Sequence, residues 1–132
     1  MFDQEIIARH IARASESMQW GKTDCCQFVR AIVLDHGGPD IMAGVPDYGN
    51  ETEAKHMLAR KGGLVRFVMN VADAIGAVER FHPFPTDKRL VGIVPTPNGP
   101  ALALMVNGRW VVRALYGVVV HPSETAVMAW EV

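Results

Sequence analysis

The sequence predicts an α+β domain, with helices in its first half and an antiparallel sheet in its second. Three observations lead there. Apolar residues recur at helical spacing in four stretches that end near Ile75. After His82-Pro83-Phe84-Pro85 the texture changes to short β-rich runs separated by turn residues. Asn107-Gly108 sits between two of those runs as a hairpin signal, because both positions of a type I′ turn need positive φ. The 132 residues suit one compact domain, residues 1–132, and carry no repeat, linker or low-complexity stretch.

Residues 3 to 18 place Ile7, Ile11, Ala14 and Met18 on one stripe, with Asp3, Gln4, Arg9, Arg13 and Glu16 around the rest of the wheel, as in an amphipathic surface helix. Gln19 to Thr23 break the period. Asp24 is then a helix N-cap, with Gln27 three residues on to complete a capping box and Cys25 and Cys26 as the first two helical residues. The continuation Phe28, Val29, Ala31, Ile32, Val33, Leu34 is apolar nearly all round, so this helix should run through the centre of the fold until Gly37-Gly38-Pro39 stops it.

Residues 37 to 50 are punctuated by Gly and Pro and read as an irregular surface loop. Asn50 and Glu53 resemble a second capping box, opening a short helix with Ala54, Met57 and Leu58 inward that ends at Gly62-Gly63. Leu64, Phe67, Val68, Val71 and Ile75 give a fourth helix, closed by Gly76. The expected strands are Leu90–Val94, Ala101–Val106, Arg109–Leu115 and Val118–Val120, with Ala126–Val132 as an edge strand or a terminal turn.

The balance of 13 basic against 14 acidic residues leaves no positive field for nucleic acid, so no nucleic-acid specificity is expected. Met-Phe-Asp-Gln-Glu is an acidic opening unlike a secretory signal, and no window reaches the ~18 to 20 apolar residues of a membrane span. The two cysteines are adjacent and cannot staple distant segments. No Cys-x-x-Cys or His-Glu-x-x-His occurs and the five histidines are scattered, so neither a metal nor a cofactor is expected. Two readings of the pair stay open: buried small hydrophobes, or a reactive thiol with a silent neighbour. The first turn of a helix favours thiolate through its free N–H groups and positive dipole end, while Asp24 opposes it unless its carboxylate turns away to cap the helix.

The segment Trp20-Gly21-Lys22-Thr23-Asp24-Cys25-Cys26-Gln27-Phe28-Val29 resembles the Trp-Gly-x-x-Asp-Cys-x-x-Phe opening of a family of small phage and prophage tail proteins related to the NlpC-type cell-wall cysteine peptidases. The likeness continues in outline through Gly37-Gly38-Pro39-Asp40, Tyr48-Gly49, Gly62-Gly63 and the closing Ala129-Trp130-Glu131-Val132. It implies a papain-like α+β fold, a place in the virion tail tip beside a larger hub or baseplate protein, and peptidoglycan peptides as the substrate of active members. By that pattern Cys25 is the nucleophile. The catalytic His of active members opens a Gly-His-Val-Gly-Ile strand, and the equivalent run here, Gly99 to Met105, has Ala101 or a neighbour in its place. Arg113-Ala114 supplies no orienting Asn, Asp or His, and Lys88-Arg89-Leu90 replaces the usual Gly-Asp before the first strand. A cysteine peptidase without its imidazole lacks both the base for the thiol and the acid for the leaving amine.

Among the other histidines, His36 lies at the far end of the Cys25 helix, ~16 Å away by helical rise. His10 and His56 fall on helices as surface or half-buried residues, and His82 lies in a Pro-rich loop. His121, at a strand end before Pro122, is the remaining candidate base. Trp20 and Asp24 are candidate contacts for a substrate cleft or a partner, with core packing the other reading of Trp20; Trp110 and Trp130 suit packing on the sheet or a partner surface. The expectation is therefore a structural tail-tip protein with a degenerate peptidase fold and exposed Trp and Val side chains for association. A working peptidase or amidase is the alternative, and a cytosolic partner-binding domain with no viral role is the third reading.

Overall fold

A computed structural model describes all 132 residues. Four helices, α1 (Gln4–Arg13), α2 (Cys25–Asp35), α3 (Glu51–Arg60) and α4 (Leu64–Ile75), precede six strands: β1 (Val78–Arg80), β2 (Leu90–Thr96), β3 (Gly99–Val106), β4 (Arg109–Arg113), β5 (Val118–Pro122) and β6 (Met128–Glu131). The strands form one sheet in the order β1-β6-β2-β3-β4-β5, antiparallel at every pairing. The α+β expectation holds.

Local signals set most helix boundaries. Asp3 Oδ1 accepts the amides of Glu5 (2.9 Å) and Ile6 (3.2 Å) to start α1, and Asn50 Oδ1 accepts the Glu53 amide at 2.8 Å to start α3. At α2 only half of the expected box forms: Asp24 caps the helix, while the Gln27 side chain accepts from Arg30 Nη1 at 3.2 Å. Gly76 ends α4 in the left-handed conformation.

Two expectations about elements are corrected by tertiary contacts, and one further element appears. The first helix stops at Arg13 rather than reaching Met18, because residues 14 to 18 are drawn to the β4–β5 turn: Gly117 N–H donates to the Ala14 carbonyl (2.6 Å) and Met18 N–H to that of Leu115 (2.8 Å). The C-terminal run is neither an edge strand nor a turn, since β6 lies inside the sheet with Val91 opposite Trp130 and Glu79 opposite the same residue on its other side. Strand β1 had no sequence signal, being three residues long and held in place by β6.

The sheet divides the interior into two cores. On the helix side, Val91, Ile93, Leu102, Leu104, Val111 and Trp130 meet Val29, Ile32 and Val33 of α2 and Phe67 and Val68 of α4. Val29 and Ile32 are fully buried, and each such side chain contributes about 1.5–3 kcal/mol relative to exposure. Leu34, on the outer side of α2, remains 41% exposed, so the apolar run is central on one face only. On the opposite side Leu90, Ala103, Met105, Trp110 and Val112 are covered by Phe84. The Trp110 ring sits against Gly92, where a Cβ would stand 2.7 Å from the indole Cη2 and Cζ3, and its Nε1 donates to the Ser123 carbonyl at 2.9 Å. Trp110 is fully buried and Trp130 is 4% exposed, so the expected tryptophan surface does not exist: both rings complete cores on opposite faces of the sheet. No helix is long and apolar enough to cross a membrane.

Candidate functional site

The two cysteines stand where the first turn of α2 meets β3, and the turn is held there by Asp24. Its carboxylate, 2% exposed, accepts four hydrogen bonds: Oδ1 from the amides of Cys26 and Gln27 (both 3.1 Å), Oδ2 from the Gly21 amide (2.7 Å) and from the Tyr48 hydroxyl (2.9 Å). Gly21 is required by this lock. Its φ is +81°, and a Cβ would stand 1.8 Å from the Tyr48 carbonyl oxygen, so only glycine allows the two segments to touch. Burial, followed by the neighbouring Asp24 charge, pushes the Tyr48 hydroxyl far above its ordinary value and keeps it a donor. Next to the lock lies a polar cavity of about 80 Å³ lined by Gly21, Gln27, Arg30, Asp47 and Tyr48. The Arg30 guanidinium is anchored there in bidentate fashion on Asp40, Nε to Oδ1 at 2.7 Å and Nη2 to Oδ2 at 2.9 Å.

Asp24 therefore caps the helix and joins two loops, and it is not presented to a substrate or partner as the sequence reading had it. Trp20 is half-buried immediately before Gly21, so part of its ring is reachable. Neither Tyr48 nor the Gly21 contact was singled out from the sequence. The Trp-Gly and Tyr-Gly pairs carried the signal, but only the fold brings them together.

Cys25 is half-buried and Cys26 buried, and both are free thiols. The Cys26 S–H donates to the Cys25 sulfur, which holds the Cys25 thiol below its ordinary range and pushes that of Cys26 well above it. Burial and the Asp24 charge act against the Cys25 thiolate, while the amides of Leu102 and Cys26 favour it. The Leu102 amide is free for this because the β3–β4 ladder ends at Leu104 opposite Val111. On the β2 side, the Ile93 carbonyl is turned to the Val127 amide (2.9 Å), so its cross-strand partner Leu102 directs its own polar groups toward the β4 side. Cys26 fits the reading as a buried hydrophobe, while Cys25 is half-buried with its thiol held below the ordinary range.

No imidazole faces Cys25. Ala101, expected at the place of a base, points to the other side of the sheet with Ala103 and Met105; the β3 residues on the Cys25 side are Pro100, Leu102 and Leu104. His121 is corrected as a candidate base, because it pairs with Trp110, cross-strand partners share a face, and Trp110 lies on the side away from the helices. The sheet itself separates His121 from the thiol. His36 sits beyond the other end of α2, where its Nδ1–H donates to the Ile32 carbonyl (2.7 Å) and its Nε2 accepts the Asp3 amide (2.7 Å). His10 is bound to Asp35 at 2.6 Å, and His56 and His82 are exposed on α3 and on the loop before β2. Arg113, 5% exposed, donates to the carbonyls of Glu16 (2.7 Å), Ala114 (2.7 Å) and Gly117 (3.1 Å), which ties the chain before α2 to the β4–β5 turn. No group of three or more His, Cys, Asp or Glu side chains is arranged to hold a metal ion.

A family model described as a domain of unknown function, DUF6950, matches residues 3–132. The chain belongs to the DUF6950 family. No curated protein and no solved structure matches it. In this DUF6950 member the match spans both halves of the fold, from the α1 cap Asp3 to the end of the chain, and so takes in the Asp24 lock, the thiol pair and the whole sheet.

Proposed function

We propose that this chain is a structural component of a phage tail tip, associated with a larger hub or baseplate protein, with a degenerate papain-like fold of the NlpC type and a role in tail assembly or genome delivery. The likeness of Trp20 to Val29 to the tail-protein opening supports the setting. The observation that carries the loss of catalysis is the environment of Cys25. A thiol at the start of a helix packs on an antiparallel sheet, but the β3 side chains on its face are Pro100, Leu102 and Leu104, and the one nearby carboxylate, Asp24, is committed to four donors. A lowered thiol without a proton carrier can attack, but it has nothing to protonate a leaving amine. Quantitative mass spectrometry of purified virions tests the reading: the protein is expected at a fixed low copy number, and its absence from virions would overturn it.

The lowered Cys25 thiol favours a second reading, an active cysteine peptidase or amidase cleaving peptidoglycan peptides during phage entry. Muropeptide digestion separates the two. The structural reading expects no cleavage by the wild-type protein, whereas cleavage abolished by Cys25→Ala would establish the enzyme.

A further inference from the structure

The two edges of the sheet are finished differently. The β1 edge is three residues long and carries Glu79 and Arg80, with Arg80 held by Glu131 at 3.3 Å. Short length and charge are the usual protection of an edge against pairing with another chain. The β5 edge is five residues, Val118-Val119-Val120-His121-Pro122, without a Lys, Arg, Asp or Glu. Val119 is 47% and Val120 50% exposed.

The direction of the β5 backbone groups follows from the hairpins. The Asn107-Gly108 turn closes between Val106 and Arg109, so Arg109 and Val111 bond to β3 while Trp110 and Val112 bond to β5. Their partners are His121 and Val119. Val118 and Val120 consequently turn their N–H and C=O groups outward, to no strand of this chain. Residues 14 to 18 cover the neighbouring turn at Leu115 to Gly117 and stop short of Val118.

We propose that this edge pairs antiparallel with the same edge of a second copy, about a two-fold axis at Val120. The row is complementary to itself. In that register Val120 faces Val120 of the other copy and exchanges two hydrogen bonds with it, and the outward Val118 amide of each copy meets the Pro122 carbonyl of the other, through the lone pair left beside its bond from the Thr125 hydroxyl (2.6 Å). Pro122, which has no N–H to offer, falls at the end of the pairing, where the opposing Val118 carbonyl stays with water. On the helix side the exposed Val120 side chains cover one another; on the other side Val119 packs on His121 of the second copy. With no charge in the strand, nothing repels the approach.

Light scattering after size-exclusion chromatography, from about 1 µM to about 1 mM, covers the range of a weak dimer. The wild-type protein is expected to dimerise with slow hydrogen exchange at the Val118 and Val120 amides. Val120→Lys places like charges directly opposite and should weaken the dimer at least about tenfold while leaving the melting temperature of the monomer unchanged. Val127→Lys, at a residue 62% exposed and outside β5, should leave the dimer intact. A wild-type protein that stays monomeric with rapid exchange at both amides, as it would if the edge served a different protein, overturns the proposal. So does a dimer that survives Val120→Lys.

Discussion

Replacing Asp24 should cost far more than the loss of a helix cap. Its carboxylate is 2% exposed and accepts from the amides of Gly21, Cys26 and Gln27 and from the Tyr48 hydroxyl. Asp24→Ala removes the cap, about 1 kcal/mol, and also leaves the Gly21 amide and the Tyr48 hydroxyl without a charged acceptor, about 1.5–3 kcal/mol each. The expected loss is about 4–7 kcal/mol, close to the whole stability of many domains of this size. Asp24→Asn keeps a capping oxygen but turns an amide N–H₂ toward Gly21 N–H, so it should lose about 2–3 kcal/mol. Tyr48→Phe removes a single bond to the carboxylate and should lose about 1.5–3 kcal/mol. Urea unfolding with linear extrapolation measures all three, and unchanged slopes would show that the comparison is between like states. If Asp24→Ala lies within about 1 kcal/mol of wild type, the carboxylate is only a cap and the coupling of the loops through it is refuted.

The thiol pair makes a prediction of its own: Cys26→Ala removes the S–H donor, so the pH midpoint for alkylation of Cys25 by iodoacetamide should rise, and an unchanged midpoint would show that Cys26 does not hold it down. Gly92→Ala forces a Cβ to within 2.7 Å of the Trp110 ring and against the Met128 carbonyl at 3.1 Å. The expected loss is about 1–3 kcal/mol, with a shifted tryptophan emission, measured by thermal and urea unfolding. Asp40 is held below the ordinary carboxylate range by the Arg30 guanidinium, so its contribution is present above about pH 4 and fades as pH falls through its folded value. Because both partners are about one-third exposed, that contribution is at most about 1 kcal/mol. Asp40→Asn should therefore lower stability at pH 7 and converge on wild type near pH 2; an equal deficit at both pH values would rule out the ion pair as its origin.

The Cys25 environment separates two properties that usually travel together at a catalytic thiol. Activation of sulfur needs hydrogen-bond donors and a helix start, which α2, Cys26 and the unpaired Leu102 amide supply. Turnover needs a proton carrier in addition, and on β3 the inward positions beside Cys25 are taken by Pro100 and Leu102. The half-buried Cys25 has the first property and not the second.

Much was legible from the residues alone wherever the deciding interaction was local. The caps Asp24 and Asn50, the stop at Gly76 and the hairpin at Asn107-Gly108 each depend on groups within about one turn of the chain, so spacing and residue type were enough. The apolar stripe of α4 likewise tells which face is buried, and Asp24 puts Cys25 and Cys26 at the start of α2, whereas the run of α2, apolar nearly all round in sequence, leaves the choice of its exposed side at Leu34 to the fold. What lay beyond the sequence was set by contacts between distant segments. The end of α1 depends on Leu115 and Gly117, β1 and the inner place of β6 depend on each other, and the role of Asp24 depends on a tyrosine 24 residues away. The face on which a strand residue points is an alternation that flips with a shift of one residue, so Ala101 and His121 could be assigned to a side only once the register was known. Sequence thus determined most of the elements, among them the helix that carries the thiol, while the tertiary structure alone decided which groups surround that thiol, because register and loop closure are properties of pairs of segments and not of either segment by itself.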